Sequence, residues 1–533
     1  MNIRRTARWL LLPLGLLLCG CLDTFAADAE LLFVEPVARQ EGQAVRELTD
    51  IRVERVAGGR ALSFVPALQT RNQRWKRVEA TLQVSPAVRE ALRLRSLAQT
   101  LAPAPAQKWL SARGPLPVWV KARGVGTRGP GLVTVVPVRV AGRETESTHE
   151  AHQVLILEDL ALPGGKLVTV EDLSEVGLLV PMVCHEICHG IMAEIYRERF
   201  LLLQILSPMP GGQHDSPVET DPYIAWKEGF AEAGELWLAK QFPNEFQPRL
   251  SPVGYAPHVL ALAQRMHQRR VKLAERNFYI FAANGQVKDG QLKTGKTDLA
   301  TEGVIASLLW RIWESAGFDD PLRATLTTLS RHAPATFFDF CSLLQKDHPT
   351  QRDVLKRILL EFTRYTLVSP EALKLYESYY LAKKAYVTKK ISADDYRKAR
   401  QTWEDWKTTQ RQRIEKGAPL TEAVPQPLIV ATRDGYTLDL NDEQVDRLAW
   451  HLEAFIPGDD AALKSRQAVR YAESIVEQRR SLGTFTSGTQ LADCVPAWLV
   501  AKLAAGYRRS QAQVEKALDA ELTARRTLRD FVE

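Results

Sequence analysis

The chain has 533 residues, 45% of them apolar and 25% charged, with a formal net charge of +7. That length holds two to four domains with room for a sizeable core, and the balance is that of a folded globular chain. It excludes wholesale disorder, collagen-like repeats and a polytopic membrane protein, and the charge is too modest to argue for nucleic acid.

Arg4, Arg5 and Arg8 form a basic start, and Trp9 to Leu18 is an apolar run too short for a typical bilayer span. Leu18-Cys19-Gly20-Cys21 follows. This resembles the lipobox of bacterial lipoproteins, which implies cleavage before Cys21 and acylation of that residue. Cys19 is a less usual occupant of its place, and the twin arginine lacks a twin-arginine context. Ordinary signal-peptidase cleavage after Ala26 or Ala27 is the alternative. Leu22, where an Asp would favour inner-membrane retention, points to the outer membrane, facing the periplasm or the cell surface. Export implies an oxidising compartment, so Cys184, Cys188, Cys341 and Cys494 have three ways to pair.

Leu31 to Val34 and Ala61 to Val65 read as strands, and Ser85 to Leu97 as a helix capped by Ser85 with Pro86 in its first turn. Leu101 to Gln107, with two prolines, reads as a linker. Leu116 to Ala122, Leu132 to Val140 and Val154 to Leu157 are β-branched runs punctuated by glycines, which predicts a small sheet. From Ser174 the pattern turns helical. Helical stretches are expected at Glu175 to Phe200, Ala225 to Lys240, Pro257 to Glu275, Thr301 to Ala316, Pro370 to Lys416 and Pro496 to Val532. Trp403 and Trp406 predict that the stretch ending at Lys416 packs against something. Gly417 to Pro427 is a linker, and Asp434-Gly435 between two short apolar runs is a hairpin signal. No repeat period is present.

The chemistry concentrates in Cys184-His185-Glu186-Ile187-Cys188-His189. Residues four apart on a helix share a face, so His185 and His189 can bind one metal ion. Glu186 is displaced by about 100° and can reach a water on that metal. The apolar flanks Val180, Met182, Val183, Ile187 and Ile191 predict a buried helix. A second segment, Trp226-Lys227-Glu228-Gly229-Phe230-Ala231-Glu232, falls on its own helix. Two histidines and one glutamate make a three-ligand site with an open position.

These two segments resemble the gluzincin group of zinc metallopeptidases, which includes thermolysin and the alanyl aminopeptidases. The resemblance is close over about 60 residues and reaches about 200 with the preceding sheet. It implies one zinc ion per chain held by His185, His189 and Glu228, with Glu186 as general base and acid. It also implies Glu232 as the acid that holds a ligand histidine by its far ring nitrogen. The substrate would be a peptide or protein. The Gly-x-Met-Glu-Asn element by which alanyl aminopeptidases grip a free N-terminus is not visible, which favours an endopeptidase. The interval between His189 and Glu228 is longer than in those enzymes, and its loop carries His214 and Asp215. Tyr223 and Tyr255 are candidates for the transition-state donor. Glu302, in Thr301-Glu302-Gly303, reads either as a group near the site or as an acid at the start of a core helix.

Several features carry less. Cys184 and Cys188 are poorly aimed at the same metal and read as buried thiols, with a disulfide to Cys341 or Cys494 the other reading. His149-Glu150-Ala151-His152 does not bring both rings to one face and reads as loop. The basic run Lys383 to Arg413 is interleaved with Asp394, Asp395, Glu404 and Asp405, which predicts a solvated face.

The expected class is α+β: a small mixed sheet and the active-site helix of a zincin-like catalytic domain, then a largely helical C-terminal region. The divisions are 1–20 for the lipoprotein signal peptide, 21–105 for an N-terminal α+β region and 106–350 for the catalytic domain. A helical region at 351–416 and a mostly helical region at 417–533 complete the chain. The alternative to an enzyme is a lipid-anchored binding or assembly protein with a catalytically silent peptidase-like fold.

Overall fold

The computed structural model describes residues 30–46, 48–56, 59–67, 74–102, 114–123, 129–141, 148–162, 164–196, 216, 220, 222–249, 254–271, 279–281, 287–293, 295–365, 370–416, 429–432, 435–438, 461–484, 486 and 490. The export signal, residues 103–107 of the first expected linker, the linker expected at 417–427 and the helix expected at 496–532 lie outside them; Leu101, expected in the first linker, is instead the last residue of a helix.

The strands are β1 (Leu31–Pro36), β2 (Val53–Val56), β3 (Gly59–Pro66), β4 (Leu116–Val120), β5 (Gly131–Ala141), β6 (Thr148–Leu157), β7 (Leu160–Leu162), β8 (Lys166–Val168), β9 (Tyr279–Phe281), β10 (Val287–Leu292), β11 (Ile429–Thr432) and β12 (Gly435–Leu438). The helices are α1 (Arg74–Leu82), α2 (Pro86–Leu101), α3 (Val170–Glu175), α4 (Leu179–Tyr196), α5 (Pro222–Gln241), α6 (Pro257–Val271), α7 (Gly295–Asp298), α8 (Glu302–Trp313), α9 (Pro321–His332), α10 (Phe337–Asp347), α11 (Arg352–Phe362), α12 (Pro370–Val387), α13 (Ala393–Glu415) and α14 (Ala461–Leu482). The class is α+β.

The chain divides into two compact units. The first comprises Met1–Glu194 and Leu238–Gln264. Its centre is one six-stranded sheet in the order β1-β4-β6-β5-β3-β2, curled until β1 also pairs β3. The sheet is mixed: β4 runs parallel to both β1 and β6, whereas β5 and β6 are antiparallel. It therefore joins strands from both sides of the division expected near residue 105, because β1 pairs β4 and β3 pairs β5. Every residue of β4 is buried, which explains its unbroken apolar run. Val34, Ile51, Leu62, Phe64, Trp119, Val138, Val140 and Val154 fill one core cluster. Ser85 caps α2 as expected, accepting the Val88 N–H at 3.2 Å.

Two expectations in this unit need correction. His149-Glu150-Ala151-His152 is not loop: it lies in β6, with His149 opposite Val140 and Glu150 opposite Arg139. The run of β6 is longer than its β-branched portion, because pairing with β5 carries it past Val154. The helical stretch from Glu175 is also broken. Thr169 and Asp172 form a capping box that starts α3. Gly177 then turns left-handed at φ +76°, and a Cβ there would lie 2.9 Å from the Gln247 carbonyl. The chain must turn at a residue without a side chain before α4 can begin.

The second unit comprises Ile195–Trp237 and Arg265–Glu533 and is mainly helical. The hairpin signal at Asp434-Gly435 corresponds to β11 and β12, paired from Ile429 with Leu438 to Thr432 with Gly435. The stretch from Pro370 to Lys416 is two helices, not one. Alpha12 ends as Lys389 adopts φ 57°, and the Lys390 N–H reaches back to the Ala385 carbonyl at 2.7 Å. Ser392 then caps α13 by accepting the Asp395 N–H at 3.1 Å. An aromatic seam joins the two helices. Trp403 and Trp406 stack with centroids 5.6 Å apart, and Tyr376 lies 5.4 Å from Trp403. These are the contacts expected of the two tryptophans. No helix among the described residues is long and apolar enough to cross a membrane.

Candidate metal centre

Alpha4 is buried on almost all sides. Val180, Val183, Cys184, Ile187, Cys188, Ile191, Met192 and Ala193 are all in the core. Before its last turn, only Met182, His185 and Glu186 keep partial exposure. Those positions fall on one stripe of a 3.6-residue helix. The face that remains accessible is therefore the face carrying the chemistry.

Along that stripe the His185 and His189 rings meet edge to face, 4.6 Å between centroids. One ligand atom from each of His185, His189 and Glu228 lies within 4.8 Å of the other two. Glu228 is 3% exposed and His189 9%, so the group is largely dehydrated. Two imidazoles and a carboxylate suit a divalent transition metal, and zinc in particular. Ligand atoms of a tetrahedral zinc sit roughly 3–3.5 Å apart, closer than the 4.8 Å within which these three atoms lie. The donor set thus fits a metal ion, and this group can hold one.

Glu186 lies outside the donor trio. Its Oε2 accepts the Leu132 backbone N–H, from β5, at 3.0 Å. Sequence reasoning missed this partner, although the glycine after the second histidine marks the reason for it. A Cβ on Gly190 would lie 3.0 Å from Gln153 Oε1 and 3.3 Å from Leu132 Cδ2. Without one, β5 and β6 come close against α4. Gln153, 2% exposed, fixes this approach by donating from Nε2 to the Gly190 carbonyl at 2.8 Å.

Alpha5 is held by its tryptophan. Trp226 is fully buried and donates from Nε1 to the Pro334 carbonyl at 2.9 Å and to the Tyr196 hydroxyl at 3.0 Å. Phe340 stacks on it at 5.0 Å. Gly229, directly after Glu228, is required by α8. A Cβ there would lie 2.7 Å from Ile305 and 2.8 Å from the Glu302 carbonyl. Glu302 itself is fully buried as the first residue of α8, where a carboxylate suits the helix N-terminus. The Lys227 ammonium lies 2.7 Å from Glu228 Oε1, an ion pair not foreseen from the sequence. A buried carboxylate needs such a counter-charge or a metal.

The remaining sequence candidates fall as follows. Glu232 is 3% exposed and accepts the Ser216 hydroxyl on Oε1. Tyr223 is fully buried near the start of α5, whereas Tyr255 is half-buried just before α6. Cys184, Cys188 and Cys341 are buried thiols outside any disulfide, and burial pushes the Cys341 thiol well up. Cys21, His214, Asp215 and Cys494 lie outside the described residues.

Comparison of the chain with protein-family models, with curated proteins and with solved structures gives no match.

Proposed function

We propose that this chain is a zinc-dependent metallopeptidase with a zincin-like, gluzincin-type catalytic domain, acting on peptide or protein substrates as an endopeptidase. The observation that carries the reading is the convergence of His185, His189 and Glu228 beside a half-exposed Glu186. Zinc bound there would supply Lewis-acid chemistry, polarising a scissile carbonyl and making a water more acidic. Glu186 takes the proton of the attacking water and hands it to the leaving amine. The Leu132 N–H orients that carboxylate, 3.0 Å from its Oε2. Glu232 steadies a ligand histidine. Tyr223 and Tyr255 are both candidates to donate to the developing oxyanion, Tyr255 being the more exposed.

The extended peptide would lie along the first part of β5. Gly131 to Thr134 pair with β6 on one side, while the described pairing of β3 with β5 covers only Val138 to Val140; the Leu132 N–H is held by Glu186, so a peptide would use the other backbone groups of this stretch. Strand addition at such an edge supplies backbone hydrogen bonds without demanding a particular sequence. Upstream, Cys21 would be acylated and tether the exported chain to the outer membrane.

A second reading, a lipid-anchored binding or assembly protein with a silent peptidase-like fold, has one observation in its favour. Lys227 already neutralises part of Glu228, and zinc has to compete with it. Zinc content and casein cleavage of the purified chain, measured together, separate the two. Bound zinc with cleavage that is lost on Glu186→Gln supports the peptidase. Bound zinc without cleavage of casein or of a mixed peptide library supports the second reading.

A further inference from the structure

The turn between α12 and α13 combines two properties that a merely solvated surface does not need together. From Ser378 to Ala393 the sequence contains no acid but has Lys383, Lys384, Lys389 and Lys390. All four are exposed, and none is in an ion pair among the described residues. The nearest acids of the hairpin flank this stretch, Glu377 before it in α12 and Asp394 and Asp395 after it at the start of α13. The same tip presents large apolar side chains to solvent: Leu381 is 59% exposed, Val387 71% and Tyr386 41%.

The tip is also built to hold its shape. Tyr386 lies flat on Tyr396, centroids 5.0 Å apart and planes within 7°, and Tyr379 stacks on the other helix through the same ring at 6.2 Å. The Lys389 N–H donates to the Tyr386 carbonyl at 2.9 Å and the Thr388 N–H to the Lys384 carbonyl at 3.1 Å. Ser392 closes the turn by donating to Asp395 Oδ2 at 2.7 Å. Leu381, Tyr386 and Val387 therefore stay exposed in an ordered turn, with four ammonium groups around them.

We propose that this hairpin tip docks on an anionic lipid surface, Leu381, Tyr386 and Val387 entering the headgroup layer and the four lysines meeting lipid phosphates and carboxylates. Charge complementarity and exposed apolar groups together favour a bilayer over a soluble polyanion, which offers nothing for Leu381 and Val387. A tyrosine at the boundary, with an apolar ring and a polar end, suits that interface. This contact is separate from the tether expected at Cys21 and does not depend on the peptidase reading.

The test is co-sedimentation of the full chain carrying Cys21→Ser, so that no acyl chain contributes, with phosphatidylcholine vesicles and with vesicles also containing phosphatidylserine. The chain should bind the anionic vesicles more tightly. A basic residue near such a surface contributes about fivefold, so Lys389→Gln with Lys390→Gln should weaken binding about 30-fold. Leu381→Ser with Val387→Ser should weaken it several-fold at constant charge, and both variants should leave binding to neutral vesicles unchanged. Equal binding of wild type and both variants to anionic vesicles would overturn the proposal. So would loss with the lysine variant alone, accompanied by an equal loss of binding to a short DNA duplex, which would make the tip a plain polyanion site.

Discussion

Helices α4 and α13 hold their charged residues under opposite conditions. In α4 nearly every position is buried, and its two glutamates and two histidines are each answered by something specific. Glu194 receives Arg95 at 2.6 Å and Gln99 at 2.7 Å, Glu186 receives the Leu132 N–H, and the two histidines share the donor group with Glu228. In α13 charged residues recur along the whole helix, and the ion pairs are exposed ones such as Lys407 with Glu404 at 2.9 Å and Arg411 with Glu361 of α11. Exposed pairs of that kind contribute little. A charge inside an apolar helix must be compensated, so its partner locates function. On a solvated helix the informative feature is instead the exposed apolar side chain.

By that contrast, substitutions in and around α4 and α5 have large effects with distinct signatures. The largest concerns Glu186. On the proposed function, Glu186→Gln should reduce peptide hydrolysis by about 100- to 10,000-fold while bound metal is unchanged, since the carboxylate would move a proton without being a ligand. Turnover of casein or of a peptide library, beside metal content, measures both. Trp226→Ala should follow, destabilising the fold by about 3–5 kcal/mol as α5 loses its stack on Phe340 and its bond to the Pro334 carbonyl. The shift in denaturation midpoint reads this directly.

Gly229→Ala comes next. The added methyl meets Ile305 and the Glu302 carbonyl, so roughly 1–3 kcal/mol of stability should be lost. Metal affinity should fall too, since Glu228 is the adjacent residue. A denaturation curve unchanged from wild type would mean that α5 and α8 are less closely packed than described. The smallest effect is that of Lys227→Met. Removing the ammonium 2.7 Å from Glu228 should tighten zinc binding by about tenfold, measured by competition with a chelator. Weaker binding would mean that Lys227 positions the carboxylate instead of competing for it.

Much of this was legible in the sequence, for identifiable reasons. The histidine pair follows from helical spacing and residue type, Glu228 from the resemblance of its segment, and β4 and β5 from β-branched apolar runs with glycine punctuation. Ser85 and Pro86 announced the start of α2. What stayed hidden depends on distant chain segments. The Leu132 N–H that meets Glu186 is a backbone group, invisible to residue type. Gly190 and Gly229 read as ordinary glycines until Gln153 and Ile305 are seen against them. The break at Gly177 depends on the Gln247 carbonyl, far along the chain. The turn at Lys389 was missed because a lysine in left-handed conformation has no sequence signature, and the acids of α13 masked the acid-free tip before it.

The central claim is that His185, His189 and Glu228 form one metal site. Elemental analysis of the purified chain after zinc reconstitution and exhaustive dialysis tests it most directly, with His185→Ala and Glu228→Ala treated alongside. The wild type should retain about one zinc per chain, and each variant should lose most of it, since either change leaves only two ligands. A wild type without zinc, or a Glu228→Ala variant that retains the full complement, would contradict the assignment.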